Sequence, residues 1–527
     1  MDWQSTNTML YTATARYDWS NDKHAVGALV GTSYEHYKYE RLAGSREEFP
    51  SDALTDMEAG STSGAGYTNG AGSSEYKMLS YFARVNYTLM DRYLFEVNMR
   101  ADASSRFHKD HRWGYFPSFS AGWRMSEESF MKDIEWINNL KIRASYGTLG
   151  NINNVGNYDY FQNYSSGNHY NFSDSPVIGI GESKPANETL GWEKVALTDI
   201  GLDFDIFNGL LGVTADYYIK NTSDILLGYN VPTETGITAA PSQNIGKVKN
   251  TGFELALNHR NKIGAVNYSI GANIATNKNK ITNLGGSDNI IQTSSYIVKY
   301  ILKKGESIGS FYGFKTDGLY TQADIDAGHY YTLSGVVPNA GDIKFVPQRD
   351  IEYKQEITDE DVPDFTYGVN LSLQYKGFGF SMFGQGISGT KVAFDVYGVH
   401  PFYHGQDSPR KYHLKRWTEE NPNPHAAYPR IYSASSVHTT YNRNFSDYHL
   451  FDSDYLRFKT LSLGYTVPSA TVKNWGLQSL KVYVTGENLF TVRADKKMED
   501  FDPETPSGRG TDTRGTSSIS LGVNLTF

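Results

Sequence analysis

The last eleven residues of the chain alternate strictly in polarity. Ile519, Leu521, Val523, Leu525 and Phe527 share one parity, and Ser518, Ser520, Gly522, Asn524 and Thr526 the other. Successive side chains of a β-strand point to opposite faces, so a period of two predicts a strand with one apolar and one polar side. The device recurs far upstream. Tyr93, Phe95, Val97 and Met99 alternate with Leu94, Glu96, Asn98 and Arg100. Leu211, Val213, Ala215, Tyr217 and Ile219 do so with Gly212, Thr214, Asp216 and Tyr218, and Phe253, Leu255 and Leu257 with Glu254, Ala256 and Asn258. Tyr367, Val369, Leu371, Leu373 and Tyr375 repeat it. About fifteen such strands are predicted, each of roughly 10–14 residues, against about 5–6 in an ordinary globular sheet.

The connections alternate as well. Short turns carry turn residues at Ser20-Asn21-Asp22, Met90-Asp91-Arg92, Asn208-Gly209, Asn261-Lys262-Ile263-Gly264 and Lys376-Gly377, with two longer ones near 127–137 and 467–478. Between successive hairpins lie long polar segments near 39–76, 148–193, 223–248, 278–364, 390–450 and 488–516. A soluble domain seldom carries several structureless loops longer than about 15 residues. Short turns at one end and long loops at the other are the layout of an all-β, transmembrane antiparallel β-barrel. Tryptophans agree with it: Trp19, Trp136 and Trp475 fall in the short turns and Trp123 ends a strand beside one, where amphipathic rings form a girdle at the membrane boundary.

Composition alone points elsewhere. A net charge of −9 removes the electrostatic footprint of a general nucleic-acid binder, and the absence of cysteine excludes thiolate metal sites, disulfides and cysteine nucleophiles. No run of about 18 apolar residues occurs, so no helix spans a membrane, and Met1-Asp2-Trp3-Gln4 has no signal-peptide character. These figures suggest an acidic cytoplasmic protein. The alternation overrides them, because a wall with one lipid-facing and one wet side is only moderately hydrophobic, here 39%. A soluble, secreted all-β carbohydrate-binding or hydrolytic protein is the competing fold reading, and a surface receptor or adhesin without transport the competing function. Parity adds a further expectation. The last strand ends on the short-turn side, and counting back places the first visible strand's start (near residue 8) on the long-loop side. The odd count predicts at least one strand before residue 1.

Several blocks resemble the barrel of TonB-dependent outer-membrane transporters of the SusC/RagA family. The most specific is Ser104-Ser105-Arg106-Phe107 followed by Arg112-Trp113-Gly114-Tyr115-Phe116-Pro117-Ser118 and Ala121-Gly122-Trp123-Arg124. Arg143-Ala144-Ser145-Tyr146-Gly147 with Gly150-Asn151, then Gly191-Trp192-Glu193-Lys194 with Asp199-Ile200-Gly201-Leu202-Asp203, follow in order. So do Asn244-Ile245-Gly246-Lys247-Val248 with Gly252-Phe253-Glu254, Pro363-Asp364-Phe365-Thr366-Tyr367-Gly368, Gly486-Glu487-Asn488-Leu489-Phe490 and Phe501-Asp502-Pro503-Glu504. The resemblance runs from about residue 80 to the end and implies a barrel of about 22 strands filled by an N-terminal plug. It also implies an outer-membrane location in a Gram-negative cell, energy from a TonB complex, a SusD-like lipoprotein lid, and an oligosaccharide or peptide as cargo. Signal peptide, energy-coupling box and plug do not occur in these residues, which makes them the C-terminal part of such a barrel. The resemblance further makes the terminal Phe527 the residue read by the barrel-assembly machinery. Many relatives carry a calcium-like acidic run after the equivalent of Gly341-Asp342-Ile343-Lys344-Phe345; here Val346-Pro347-Gln348-Arg349-Asp350-Ile351 stands there, and no metal ligand is carried over.

Catalytic chemistry finds no footing. His400, His404, His413, His425, His438 and His449 crowd one loop region, and His400 with His404 could ligate a metal only if that stretch were helical; solvated loop histidines are the expectation. Asp359-Glu360-Asp361 lacks the spacing that wraps calcium and reads as a solvated charge run. Gly179-Ile180-Gly181 and Asn69-Gly70-Ala71-Gly72 have no strand–turn–helix frame for a phosphate, and Asn370-Leu371-Ser372 reads as strand rather than glycosylation site. No enzyme, cofactor or metal is predicted. Ligand contact remains: Phe311, Tyr312, Tyr397, Phe402, Tyr403 and Trp417 are loop aromatics on the outer side that could stack on cargo, pack the loops, or meet a lid protein.

Overall fold

The computed structural model describes residues 1–54, 56–62, 68–172, 175–228, 234, 242–293, 297–346, 354–403, 408–505 and 515–527; the side chains of 167–169, 172, 175, 176, 396 and 397 lie outside that description. Fifteen strands hydrogen-bond in chain order. They are β1 (Asp2–Ser20), β2 (His24–Ser45), β3 (Thr68–Leu89), β4 (Tyr93–Ser104), β5 (Trp113–Arg124), β6 (Ile137–Asn151), β7 (Glu193–Ile206) and β8 (Leu211–Gly228). The series continues with β9 (Ser242–Ile263), β10 (Val266–Thr276), β11 (Phe365–Tyr375), β12 (Phe378–Ser388), β13 (Tyr455–Thr466), β14 (Ser479–Arg493) and β15 (Ser518–Thr526). A short strand, Lys278–Leu284, pairs with β9 outside this path. The chain forms two compact units, 1–128 with 143–199 and 220–247, and 129–142 with 200–219 and 248–527; strands β6 to β9 run through both.

Several strands exceed their predicted length. β2, β3 and β9 each have 22 residues, so strand extends into the segments expected as loops at 39–76 and 223–248: β2 runs to Ser45, β3 starts at Thr68, β8 runs to Gly228 and β9 starts at Ser242. The β2–β3 ladder runs unbroken from His24↔Leu89 to Ser45↔Thr68, through polar pairs such as Lys38↔Glu75. Backbone N–H and C=O groups close such a ladder whatever the side chains, so pairing outlasts the apolar alternation that reveals it. Most turns fall as read, but Asn261, Lys262 and Ile263 belong to β9, paired with Tyr268, Asn267 and Val266, so the turn expected at 261–264 is only Gly264-Ala265. Lys376 and Gly377 both hold positive φ, +44° and +89°, in the two-residue turn between β11 and β12, which is type I′ geometry and matches the twist of the flanking strands.

Register builds two unlike faces. In the second unit Ile270 faces Leu371, which faces Met382, which faces Leu461. Leu480 faces Leu525, and Val482 faces Val523. On the last strand Ile519, Leu521 and Val523 are 73%, 78% and 53% exposed. An exposed apolar band of this extent is what a lipid-facing wall requires. The opposite face carries a row of hydroxyls in register across six strands: Ser269, Ser372, Ser381, Ser462, Thr485 and Ser520. In the first unit Phe95, Val97 and Met99 are exposed on one side of β4, while Glu96, Asn98, Arg100 and Asp102 take the other. The fold is an all-β antiparallel barrel wall, and its buried hydrophobic side chains gather mainly among the loops and strand ends on the long-loop side.

Candidate functional site

The long segments 278–364 and 390–450 read as polar loops, yet they fold. In the second unit Phe314, Leu319, Ile343, Phe345, Trp417 and Tyr441 form one buried cluster. Val392, Phe394, Val399, Tyr412, Phe451, Met498 and Phe501 form a second, and Val298, Phe311, Phe445 and Leu450 a third. Their apolar residues show no period, because irregular chain packs wherever a side chain points inward, so periodicity could not find them.

Buried polar groups pin these clusters together. Asp342, fully buried, accepts hydrogen bonds from His438 Nδ1 (2.8 Å), the Asn339 amide (2.8 Å) and Asn442 Nδ2 (2.8 Å). Asn442 Oδ1 in turn accepts from the Ile343 amide. The Gly341–Phe345 block is thus the point where two long loops, 99 or so positions apart, are stitched by a satisfied carboxylate. Gly341 holds φ +90° directly against the Trp417 ring, where any side chain would collide. In the last long loop Asp502 and Glu504 reach Arg457 on β13 at 2.7 and 2.6 Å, and Lys459 also reaches Glu504 at 2.7 Å.

Histidine chemistry differs from the expectation. His400, His413 and His449 are buried, not solvated. His413 accepts from the Arg410 amide at Nδ1 and donates from Nε2 to the Val399 carbonyl; His449 pairs at Nδ1 with the Ser446 hydroxyl and donates from Nε2 to the Asn442 carbonyl. Both are neutral in these roles. Burial pushes His449 down to about 4 and His400 well below its ordinary value. His400 Nδ1 meets the Tyr428 hydroxyl at 2.9 Å, and burial raises that phenol far above 10. His404 lies outside the described residues, as do 347–351 of the calcium-position segment. Among the described residues no three metal-ligating side chains converge.

The predicted cargo aromatics scatter. Phe311 is fully buried between Tyr300 (4.9 Å between ring centres) and Phe445 (6.0 Å), and Trp417 is 4% exposed under the Arg430 guanidinium. Both rings are spent on loop packing and present no free face. Tyr312 is half-buried beside Ile357, and Tyr403 half-buried beneath Arg443 at 4.4 Å. Phe402 is 45% exposed, and the side chain of Tyr397 lies outside the description. In the first unit a hairpin, Asn163–Phe172 with Ser175–Lys184, carries exposed Tyr164, Tyr170, Ile178 and Ile180. Sequence reasoning missed these residues, although the density of Tyr158, Tyr160, Phe161, Tyr164 and Tyr170 within 13 positions is a visible signal.

Motif residues in the first unit meet one another. Phe107, Phe116 and Trp192 pack at 5.3–5.4 Å, and Trp192 Nε1 donates to the Arg112 carbonyl. Asn244 exchanges two hydrogen bonds with the Gly191 backbone, both 2.9 Å. Arg106 lies over Tyr76 at 4.4 Å and donates to the carbonyls of Ile152 and Val155. The tryptophans expected at a girdle lie at short-turn ends: Trp19, Trp136 and Trp475 are 46%, 47% and 60% exposed, while Trp123 Nε1 donates to Glu128.

Comparison with known proteins agrees with this arrangement. The family profile described as TonB dependent receptor-like, beta-barrel matches residues 2–489. The TonB-dependent receptor P3 of Formosa agariphila is 29% identical over 99% of this chain and 51% of its own length. The TonB-dependent receptor SusC of Bacteroides thetaiotaomicron is 30% identical over 82% of this chain and 42% of its own. The structure of the RagAB peptide transporter superposes with a TM-score of 0.81 at 25% identity, covering all of this chain and 56% of that one. The chain spans about half the length of the curated relatives it matches.

Proposed function

The chain belongs to the TonB-dependent receptor β-barrel family and is an outer-membrane protein of the SusC/RagA kind, and from that premise we propose that it serves the import of a bulky nutrient, an oligosaccharide or a peptide. In this proposal a plug and further strands complete the barrel, a TonB complex supplies energy, and a SusD-like surface lipoprotein closes over the long loops. The transported molecule undergoes no covalent change; the work is conformational. Trp19, Trp123, Trp136 and Trp475 mark the membrane boundary at the short-turn end, and Phe527, exposed at the end of the apolar face of β15, is the assembly signal.

One observation carries the reading: an exposed apolar face backs onto a hydroxyl-bearing face, beneath loops that fold into packed bodies held by buried carboxylates. The test is growth and uptake. Deleting the gene abolishes accumulation of a labelled oligosaccharide or peptide that the parent strain concentrates, while the protein fractionates with outer membranes and shows a heat-modifiable band. Recovery in the soluble fraction, or unchanged uptake across a broad panel of both cargo classes, overturns the proposal.

A further inference from the structure

A cavity of about 460 Å³ opens along strands β4, β5 and β6 in the first unit, at the lower end of the usual range for small-molecule sites. Glycines make it. A Cβ on Gly147 would fall 2.9 Å from that of Ser118, and one on Gly114 or Gly150 would run into the Phe116 ring. Gly114 and Gly150 thus make room for the Phe116 ring and Gly147 for Ser118, and Gly147, Gly150, Phe116 and Ser118 all line the cavity.

The lining is chemically mixed. Glu96, Asn98, Arg100 and Asp102 come from the polar side of β4, and Ser118 and Ser120 stand opposite Asn98 and Glu96 on β5. Arg100 Nε donates to Asp102 Oδ2 at 2.7 Å and its Nη2 to Ser80 at 2.9 Å. The Asp102 side chain is only 7% exposed, and its other oxygen, Oδ1, has no partner among the described residues. A buried carboxylate oxygen left unpaired is costly and rare, and it marks a place where a donor is wanted. Asn98 Nδ2 already donates to Glu96 Oε1, so Glu96 keeps acceptor capacity for a second donor. Phe116 and Tyr146 add aromatic surface to the same cavity.

Carboxylates with acceptor capacity left over, an arginine, small hydroxyls and aromatic rings suit a molecule that carries several O–H groups and an apolar C–H face. A peptide that docked by adding a strand would need an open edge, and β4 and β5 lie inside the sheet between β3 and β6. Glu96 and Asp102 against Arg100 leave one excess negative charge, which disfavours uronates and sulfated sugars. We propose that this cavity is a subsite for one neutral sugar unit, held by Asp102, Glu96, Arg100 and the hydroxyls of β5. The proposal rests on the import reading and narrows it to neutral glycans.

The chain has no cysteine, so a thiol placed in the cavity is unique within it. Ser118→Cys or Ser120→Cys in the detergent-solubilised full-length protein is labelled with a small maleimide, with labelling of the unsubstituted protein subtracted as background, alone and with neutral gluco-, manno- and galacto-oligosaccharides, their uronate counterparts, or a lysine-containing hexapeptide. The expected result is a labelling rate at least tenfold lower with a neutral oligosaccharide and unchanged with uronates. Protection by the lysine peptide instead, or a thiol that never reacts because the protein fills the cavity itself, overturns the subsite. Ser118→Trp, checked for a normal heat-modifiable band, is expected to cut uptake of the protecting sugar at least tenfold. If it imports like the parent, the subsite fails and the import reading stands. If the parent imports nothing, the import reading fails, while the labelling result still decides the subsite.

Discussion

Arg457 Nη2 lies 2.7 Å from Asp502 Oδ1, joining β13 to the loop before the last strand across 45 positions of sequence. Both side chains are about 5% exposed, and the carboxylate also accepts from the amides of Glu504 and Gly515. Removing one partner of a buried, hydrogen-bonded pair strands the other charge at a cost of about 3–5 kcal/mol. Arg457→Met is therefore expected to free the segment 494–505 to trypsin and to deuterium exchange while the barrel keeps its heat-modifiable band. Asp502→Asn should do the same, and the double variant should fall well short of the sum of the two. Strict additivity would show that the pair does not act as a latch.

Two acid responses should separate on the pH scale. Burial holds His449 at about 4 in the folded loop against about 6.5 unfolded, so the unfolded form binds the extra proton first. Stability of the loop body is intact above pH 6.5 and drains away down to pH 4, by about 3 kcal/mol for this residue alone. Asp502 and Glu504 respond in the same direction but lower on the scale. Burial alone would raise them, but hydrogen bonds from Arg457 and two amides to Asp502, and from Lys459 with the Arg457 charge to Glu504, hold them below their ordinary values. Their contribution is present above about pH 4 and is lost only below it. Exchange corrected for intrinsic rates should thus show 437–451 loosening between pH 6.5 and 4.5 with 494–505 still protected. Simultaneous loss of both would contradict the assignment.

Glycine positions in the sequence blocks give a prediction with an internal control. Gly150 presses against the Phe116 ring, which also contacts Trp192 at 5.4 Å. Gly150→Val has to displace that ring from a cluster containing fully buried Phe107, and overpacking of this kind costs about 1–3 kcal/mol or more. A reduced folded fraction and an earlier melting of the heat-modifiable band are expected. Gly70, in β3, has nothing within 4 Å of an added Cβ, and Gly70→Ala should leave both unchanged. Equal effects at the two sites would refute the packing argument.

Much of the wall was legible because a sheet with one lipid face writes its register into the sequence. Ile519 to Phe527 could be assigned a side by parity alone, and so could Tyr93 to Met99. What escaped was everything that parity does not encode. The outer halves of β2 and β3 pair through backbone groups under polar side chains, so their 22-residue length was invisible. For Phe311 and Trp417 the sequence leaves cargo contact and loop packing equally open, because nothing local announces that Phe445 or Gly341 comes back from far along the chain to cover them. The burial of His400, His413 and His449 was missed for the same reason. Asp102 and Glu504 stood inside or beside recognised blocks, but only the assembled structure separates a satisfied carboxylate from one with an unpaired oxygen.

The two faces of β15 allow a direct test of which side meets lipid. Leu521 is 78% exposed and stands beside Val484 on the apolar face, whereas its neighbour Ser520 faces Thr485 at the end of the hydroxyl row. An arginine on the lipid face near the bilayer midplane costs about 2–4 kcal/mol, because its charge must drag water and headgroups inward, whereas an arginine on a wet inner face keeps its hydration. Leu521→Arg is therefore expected to lower the folded, heat-modifiable fraction and shift urea unfolding to lower concentration, and Ser520→Arg to leave both near the parent. Both substitutions add the same side chain to the same strand one residue apart, so strand propensity, net charge and distance from Phe527 are nearly matched. A larger loss at Ser520 than at Leu521 would invert the wall and with it the placement of the hydroxyl row on the lumen side.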